Sequence, residues 1–268
     1  MIGMNNLGLN GRLGNQMFQY ASLVGVAKKR NYEWCIPKEN QDLTKCFLMK
    51  NLQRYGTVEG LELHLHESHE FCEDLFLECP DEVTFHGYFQ SEKYFKHVED
   101  VVREDYQFND DILISVANDY PQELLEDAVS IVVRRFEDIF DYPGCELNHR
   151  NLPISYYESA IEMLGENRKY IICSNNLDWC KQQELFQGDN FIFNDSITNG
   201  VNKSFHDLCL ISCCKDHIIA NSTFSWWGAW LGTQSDKKVI SPVRWYGPNL
   251  SHIDAEDLFP IEWTRIDL

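Results

Sequence analysis

The chain has 268 residues, of which 44% are hydrophobic and 24% charged, a composition typical of a globular protein with a substantial core. Acidic side chains outnumber lysine and arginine by 42 to 23, giving a formal net charge of −19 at pH 7. This charge argues against a nucleic-acid partner, because contact with a phosphate backbone requires a basic face. Any anionic ligand must therefore be held by a few local cations and backbone N–H groups.

The composition also bears on the location of the protein. No apolar run approaches the roughly 20 residues that a membrane-spanning helix requires. The N-terminal residues show no basic segment followed by an apolar core, so we predict no signal peptide and a cytoplasmic protein without a membrane span, while peripheral membrane contact stays open. The ten cysteines include no C-x-x-C pair, and we expect reduced, mostly buried thiols.

The N-terminal half begins with a glycine-rich turn and a helix. Apolar side chains recur every three to four residues over Met17–Ala27, which predicts a helix ending near residue 30. The turn before it, GLNGRLGNQ, is neither a dinucleotide fingerprint nor a P-loop, but its glycines permit close backbone approach to a ligand. Residues 31–125 mix short strands and helices without regular order, and residues 83–95 predict a strand running into a helix.

Two features of this half concern metal ions. His64, His66 and His69 lie in LELHLHESHE, a spacing that could bind a metal on a strand, although we favour a polar strand face. No Asp-x-Asp pair occurs in the chain, so the carboxylate pair that commonly holds a divalent ion on a diphosphate is absent. We therefore predict no metal in the functional site.

From Ala128 onward, apolar strands alternate with helices. The predicted strands are residues 128–133, 169–174, 217–220 and 239–243. The predicted helices are residues 154–164, 177–185 and 226–231, and residues 206–214 are predicted as a helix or a turn. This alternation predicts parallel βαβ units in a doubly wound sheet. Ligands of such sheets bind beyond the carboxyl ends of the strands, so the polar residues that follow each strand are the candidate site.

Three polar segments follow these strands. Arg134 and Arg135 come directly after the first strand, and permanently charged guanidinium groups suit a diphosphate. Ser174–Asn176 follow the second strand, and Asn221–Ser225 lead from a later strand into an aromatic helix whose N-terminal N–H groups suit an anion. The alternatives are a surface ion pair of the arginines with Glu137 and Asp138, and ordinary helix capping by Ser222 or Thr223. We interpret the tryptophans of that helix as its core rather than as sugar-stacking platforms.

Several long motifs, in chain order, carry a family resemblance. They are GRLGNQMFQYA (11–21), HGYFQSEKYF (86–95), VVRR (132–135), ISYYESAIEML (154–164), SNNLDWCK (174–181) and HIIANSTFSWWGAWL (217–231). Together they resemble the α-1,2-fucosyltransferase family, glycosyltransferase family 11 of the bacterial and viral type. The resemblance implies an α/β, GT-B-like fold in which two Rossmann-type lobes with mainly parallel sheets face a cleft. Residues 1–125 would form the acceptor-side lobe and residues 126–268 the GDP-sugar-binding lobe, with the N-terminal helix and C-terminal tail able to cross between lobes.

The same resemblance implies an activity. GDP-L-fucose would be the donor substrate, and no cofactor would be required. L-Fucose would be transferred, with inversion and without metal, to the 2-hydroxyl of a terminal galactoside in a surface glycan. A non-catalytic member that binds nucleotide or glycan, and a fucosyltransferase acting on protein, are the alternatives.

The resemblance also implies roles for individual residues. Arg134 and Arg135 match the family's arginine pair, which would bind the diphosphate and stabilise the departing GDP. Glu137, Asp138 and His86 are the candidates for the base that removes the acceptor proton, and the sequence does not decide among them. Other donor contacts would come from Asn221, Ser222, Thr223, Phe224, Ser225, Asp207, Asn175, Asn176, Gly11 and Asn15, and acceptor-side contacts from Asn10, Arg12, Gln16 and Tyr88.

The chain departs from the family pattern at two places. The family's arginine motif usually reads His-Val-Arg-Arg-Gly-Asp-Tyr, whereas Val132–Asp138 lacks the histidine and carries Phe136 at the glycine position. The usual acidic pair after the next strand is replaced by Asn175 and Asn176, whose amides can still bind ribose or guanine. The first departure motivates the non-catalytic alternative.

Overall fold

The computed structural model describes residues 1–64, 70–136, 144–198 and 200–267. They form two compact α/β units, Met1–Asn109 with Ile253–Pro260, and Asp110–His252 with Ile261–Leu268. Each unit has its own parallel sheet, which confirms the predicted α/β class. The division comes earlier in the chain than residue 125, because helix Asp110–Asp119 packs against helix Lys203–Cys213 of the second unit. The roles assigned to the two lobes stay predictions.

The first unit is built on a four-stranded sheet among its described residues. The strands are β1 (Ile2–Gly3), β2 (Trp34–Cys35), β3 (Leu61–His64) and β4 (Val83–His86), in the order β2-β1-β4-β3. The helices are α1 (Leu13–Arg30), α2 (Leu43–Cys46), α3 (Glu73–Glu78) and α4 (Glu99–Asp105). All three strand pairs are parallel, so the carboxyl ends of β1 and β4 lie side by side.

Helix α1 confirms the periodicity prediction. It ends at Arg30 and is capped by Asn31, which has a left-handed backbone (φ 56°) and whose N–H group reaches the carbonyls of Ala27 and Lys28. The basic residues of its last turn face the negative end of the helix dipole. Nearly every side chain from Leu13 to Ala27 is buried, so burial rather than a side-chain N-cap stabilises this helix.

The second unit contains a six-stranded parallel sheet within the described ranges. Its strands are β5 (Val129–Val133), β6 (Tyr170–Ser174), β7 (Phe191–Phe193), β8 (Asp216–Ile218), β9 (Val239–Pro242) and β10 (Thr264–Ile266), in the order β10-β9-β8-β5-β6-β7. Its helices are α5 (Asp110–Asp119), α6 (Gln122–Leu125), α7 (Cys145–Asn148), α8 (Ile154–Leu164), α9 (Leu177–Lys181), α10 (Lys203–Cys213) and α11 (Thr223–Leu231). All five residues of β5 are buried, as a central strand covered on both faces requires.

Helix α11 contains the three tryptophans of the motif HIIANSTFSWWGAWL. Trp226 and Trp227 are fully buried and Trp230 is nearly so, which confirms that they belong to the core. Gly228 lets α11 pack closely on α10, because a Cβ atom there would lie 2.5 Å from Ile211 Cγ2. A larger residue at position 228 would therefore push α11 away from α10.

Two predicted helices are shorter than expected. After β4 the chain makes 3₁₀ turns at Glu92–Tyr94 and Lys96–Val98, and an α-helix begins only at Glu99. Phe89 takes a left-handed backbone (φ 53°), which interrupts any direct passage from strand to helix. Helix α9 likewise ends at Lys181, followed by a 3₁₀ turn, rather than continuing to residue 185.

The described cysteines are all free. Seven are buried, and Cys72 and Cys213 are half-buried, in agreement with the expected reduced thiols. In the part of the chain that the structure describes, no helix combines the length and apolarity needed to cross a bilayer.

A buried histidine makes the stability of this fold depend on pH. His217 is fully buried in β8, and its Nδ1 lies 2.9 Å from Ser130 Oγ on the neighbouring strand. Burial, reinforced by Lys237, lowers the pKa of His217 to about 3. Below pH ~6.5 this histidine becomes protonated in the unfolded chain but stays neutral in the folded protein. Its contribution to the free energy of unfolding is therefore fully present above pH ~6.5 and is lost as the pH falls towards 3.

We therefore expect the free energy of unfolding of the wild-type protein to fall more steeply below pH ~6.5 than that of H217Q, by about 1.4 kcal/mol per pH unit. Urea unfolding between about pH 7.5 and 5.5 measures both slopes, above the range in which ordinary carboxylates titrate. H252Q, at an exposed histidine of the same unit, is the control and should keep the wild-type slope. Equal slopes for H217Q and H252Q would contradict this account.

Candidate functional site

The strand order of the second unit creates a switch point. From β5 the chain proceeds to β6 and β7 on one side, whereas β8 leads to β9 and β10 on the other. The direction therefore reverses between β5 and β8, and their carboxyl ends flank the crevice where ligands of such sheets bind. Arg134 and Arg135 follow β5, and Asn221–Ser225 follow β8. Asn175 and Asn176 follow β6, the strand on the other side of β5, so the structure brings all three predicted segments to one edge.

Arg135 is held on both its backbone and its side chain. Its N–H group donates to Asn175 Oδ1 at 2.9 Å, and Asn175 Nδ2 donates to the Arg135 carbonyl oxygen at 2.8 Å. The guanidinium carbon lies 4.2 Å from the centroid of the Trp179 ring, a cation–π contact. Asn175 thus acts as a clamp on the arginine backbone, in place of the acidic residue usual in the family.

Arg134 lies beside an aromatic pair. Its guanidinium is 5.8 Å from the Phe136 ring, which stacks on His149 at 5.1 Å. The Phe136 N–H group donates to Asn151 Oδ1 at 2.8 Å, and its side chain is buried. Burial, together with Arg134, lowers the pKa of His149. A phenylalanine at the family's glycine position is therefore accommodated by packing, without a positive φ angle.

The start of α11 separates residues that hold the turn from residues that face outward. Asn221 is buried and donates from Nδ2 to the carbonyls of Arg150 and Trp245, at 3.0 and 2.8 Å. Ser225 is buried and its hydroxyl donates to the carbonyls of Ala220 and Ser222. Ser222, Thr223 and Phe224 are half-buried in the first turn, where backbone N–H groups point away from the helix. These three residues keep accessible surface, and their contact with an anionic donor stays a prediction.

Asn176 and Asp207 are engaged within the fold. Asn176 caps α9, because its Oδ1 accepts a hydrogen bond from the Trp179 N–H group at 2.8 Å. Asp207 lies on α10 and accepts from Asn194 Nδ2 and Lys203 Nζ, both at 2.7 Å. Their contacts with a nucleotide stay predictions. Two of the three candidate bases, Glu137 and Asp138, lie outside the described residues.

The glycine-rich turn of the first unit is tied to the segment after β4. Gln19 is buried, and its Nε2 donates to the carbonyls of Asn10 (3.4 Å) and Gly87 (3.0 Å). Asn15 Oδ1 accepts from Gln90 Nε2 at 3.2 Å. Gly11 has φ +91°, and a Cβ atom there would lie 2.2 Å from Asn15 Nδ2, so this position requires glycine.

The predicted acceptor-side residues divide into two groups. Asn10, Arg12 and Tyr88 are exposed, and Tyr88 keeps 43% of its surface accessible. Gln16 is buried instead: its Oε1 accepts from the Asp42 N–H group at 2.7 Å and its Nε2 donates to the Gly11 carbonyl at 3.4 Å. The structure thus gives Gln16 the task of holding the turn. Its contact with an acceptor remains a prediction.

His86 is the last residue of β4 and directly precedes Gly87, whose carbonyl accepts the hydrogen bond from Gln19. Its side chain is 14% exposed, and Nδ1 lies 2.8 Å from Asn6 Nδ2. Burial, with a contribution from His64 that outweighs the opposite effect of Glu62, lowers the pKa of His86 and favours the neutral imidazole.

Sequence reasoning missed several residues of this site. Trp179, Asn151 and Gln19 each position a predicted residue, yet none follows a strand directly. Trp179 and Gln19 lie inside the motifs 174–181 and 11–21, but nothing in those motifs assigned them a positioning role.

Solved structures similar to this chain show which fold it has. The fucosyltransferase NodZ from Bradyrhizobium matches with a TM-score of 0.54 at 11% identity, covering 88% of this chain and 95% of that chain. POFUT1, in a complex with GDP-fucose, matches with a TM-score of 0.51 at 12% identity, covering 90% and 96%. The chain therefore has the two-sheet α/β fold of the GT-B-like fucosyltransferases.

Sequence comparison then gives the family. The profile of Glycosyl transferase family 11 matches residues 1–267. The O-antigen biosynthesis glycosyltransferase WbnK of Escherichia coli is 29% identical over 90% of this chain and 94% of its own length. An alpha-1,2-colitosyltransferase of Escherichia coli is 26% identical over 97% of each chain, and galactoside alpha-(1,2)-fucosyltransferase 2 of Gorilla gorilla gorilla is 23% identical over 98% and 79%. The chain belongs to glycosyltransferase family 11 and is a glycosyltransferase enzyme.

Proposed function

We propose that this enzyme transfers L-fucose from GDP-L-fucose to the 2-hydroxyl of a terminal galactoside in a surface glycan, inverting the anomeric centre without a metal ion. The observation that carries the proposal is Arg135, clamped by Asn175 and stacked on Trp179 at the switch point of the parallel sheet. The names of the similar proteins, which include galactoside α-1,2-fucosyltransferases, support the acceptor and the linkage.

Donor binding follows from the charges at this edge. In a chain of net charge −19, two adjacent arginines after β5 form a local cationic site for a diphosphate. The first turn of α11 adds backbone N–H groups and the positive end of a helix dipole. The arginines would supply the positive charge that a divalent ion supplies in metal-dependent enzymes.

The chemistry is a displacement at the anomeric carbon of fucose. The acceptor oxygen forms the new bond while the bond to the β-phosphate oxygen breaks, and GDP leaves with the electron pair. Negative charge grows on that phosphate oxygen, where fixed guanidinium groups stabilise the transition state more than the ground state. The acceptor proton passes to a base, for which Glu137, Asp138 and His86 remain the candidates.

The test is an assay with GDP-L-fucose and a panel of galactosides in the presence of EDTA, with the linkage of the product determined by NMR. We expect an α-1,2-linked product whose rate is unaffected by the chelator. A colitosyl donor, suggested by the 26% identical colitosyltransferase, is run in parallel as a competing donor. GDP binding by calorimetry without transfer or donor hydrolysis would favour a non-catalytic protein, and transfer only to protein acceptors would overturn the glycan assignment.

The Asn175 clamp gives a prediction about donor use. N175A removes both hydrogen bonds to the Arg135 backbone and should lower kcat/KM for GDP-L-fucose about 10-fold, the effect of roughly 1–1.5 kcal/mol of lost positioning. Initial rates at varied donor concentration measure it.

N190A is the matched control for N175A, because the Asn190 side chain also makes two hydrogen bonds to the backbone, donating from Nδ2 to the carbonyls of Glu166 and Arg168. N190A should leave the kinetics unchanged. Equal kinetic losses in the two variants would show that the N175A effect is only structural.

A further inference from the structure

Outside the proposed donor site, three side chains of the first unit converge on one face of its sheet. We infer that Glu62, His64 and His86 form a binding site for a divalent transition-metal ion of the zinc class. The inference does not rest on the proposed function, because it concerns equilibrium binding of an ion and not transfer of a sugar.

The strand register creates this cluster. Strands β3 and β4 are parallel and pair His64 with His86. Glu62 precedes His64 by two residues, and alternate residues of a strand share one face. The candidate ligand atoms of all three residues consequently lie within 4.8 Å of one another.

The distances suit a shared ion. Glu62 Oε2 lies 3.3 Å from His64 Nε2 and 3.7 Å from His86 Nε2. Two ligands of a tetrahedral zinc ion, each about 2.0–2.2 Å from the metal, are roughly 3.4 Å apart. The two imidazole rings stack with centroids 4.4 Å apart, and the Nε2 atom of each ring faces the same oxygen, Glu62 Oε2. Small side-chain adjustments would complete the coordination.

His86 is the least exposed member of the cluster. Its Nε2 atom is buried and makes no hydrogen bond to any residue that the structure describes, although a carboxylate oxygen lies close by. Buried imidazole nitrogens are normally paired, and an ion at this position would supply the partner. Glu62 and His64 are 59% and 41% exposed, which leaves the ion a route of entry and room for water ligands.

Asn6 supports His86 from the opposite side of the ring. The Asn6 amide lies 2.8 Å from His86 Nδ1, with Nδ2 facing the ring. When Nε2 binds a metal, the imidazole proton resides on Nδ1, and half a turn of the amide lets Asn6 Oδ1 accept it. Histidines that bind metals are commonly oriented by such an acceptor, so Asn6 would fix both ring position and tautomer.

The donor set defines the class of ion. Two imidazoles and one carboxylate suit Zn²⁺, Co²⁺ or Ni²⁺, whereas Mg²⁺ and Ca²⁺ prefer oxygen ligands throughout. Three protein ligands leave a coordination position for water. An ion here would engage His86, one of the three candidate bases, so binding is measured without substrates.

The test is titration of chelator-treated full-length protein with Co²⁺, followed by visible absorption and by competition with Zn²⁺. We expect one equivalent to bind with the spectrum of nitrogen and oxygen ligands, lacking the thiolate charge-transfer bands that cysteine ligation produces. E62Q, H64Q and H86N should each weaken binding at least 10-fold, and H252Q, at an exposed histidine, should not. Thermal unfolding confirms that each variant is folded.

The double variant H66Q/H69Q separates this site from a purely local histidine cluster and should bind Co²⁺ like the wild type. Loss of binding in H66Q/H69Q, unchanged binding in H64Q and H86N, a thiolate spectrum, or no binding at all would each overturn the inference. The transferase assay in EDTA is independent of this titration, so failure of the metal site and failure of the proposed function give different results.

Discussion

Replacement of Arg135 by alanine should lower kcat for fucosyl transfer by a factor of about 10²–10³, the usual cost of removing one fixed charge from a site where negative charge develops. The half-buried guanidinium is positioned by its backbone clamp and by the Trp179 ring, so it needs little reorganisation when GDP leaves. R135K keeps the charge but loses the planar fork, and should recover only part of the activity.

The structural cost of R135A should be small. The side chain loses its stacking on Trp179, a contact worth about 1 kcal/mol at a half-exposed position. Initial-rate kinetics and urea unfolding on the same preparation separate the two effects. R244A is the matched control, since Arg244 lies in the same unit in an exposed ion pair with Asp267, and its kinetics should match the wild type. Unchanged kcat in R135A would remove Arg135 from the mechanism.

The largest stability effect should come from the aromatic helix. W226A should reduce the free energy of unfolding by about 3–5 kcal/mol, because Trp226 is fully buried and leaves a large cavity. Its ring contacts Trp227, Trp230 and Trp263 at centroid distances of 4.9, 6.2 and 5.3 Å. Urea unfolding followed by far-ultraviolet circular dichroism measures the loss, and W226F should retain part of the packing and lose less.

W226A also tests the core position of the tryptophans in solution. Because they lie in the core, the fraction of W226A that remains folded should bind GDP and acceptor with wild-type affinity. A variant that kept its stability but lost acceptor affinity would instead identify Trp226 as a sugar-stacking platform.

The sequence predicted best where burial is uniform. Strands β5 and β6 were recognisable as β-branched apolar runs, and α8 occupies the same residues, 154–164, that its periodicity predicts. Prediction was poorer over residues 83–95, because the backbone at Phe89 and the 3₁₀ turns that follow depend on local geometry that no periodic pattern records. Short helices such as α9 have the same weakness, since one turn more or less changes few contacts.

The candidate site shows the same division. The alternation of strands and helices sufficed to predict which polar segments reach the carboxyl edge of the second sheet, because parallel strands deliver their ends to one side. The alternation could not predict which of these polar side chains would be buried and hydrogen-bonded within the fold. Asn221, Ser225 and Gln16 are buried and bonded to backbone groups, whereas Ser222–Phe224 remain accessible.

The sequence by itself thus determined the family, the parallel α/β class and the arginine pair, because local composition and long motifs encode them. Only the tertiary structure decided how those residues are held: Asn175 clamps Arg135, Trp179 stacks beneath it, and strand register sets His86 beside His64. These contacts join residues far apart in the chain, and their geometry follows from which strands pair and in which register. Neither the pairing of the strands nor their register can be derived from a linear pattern of residues.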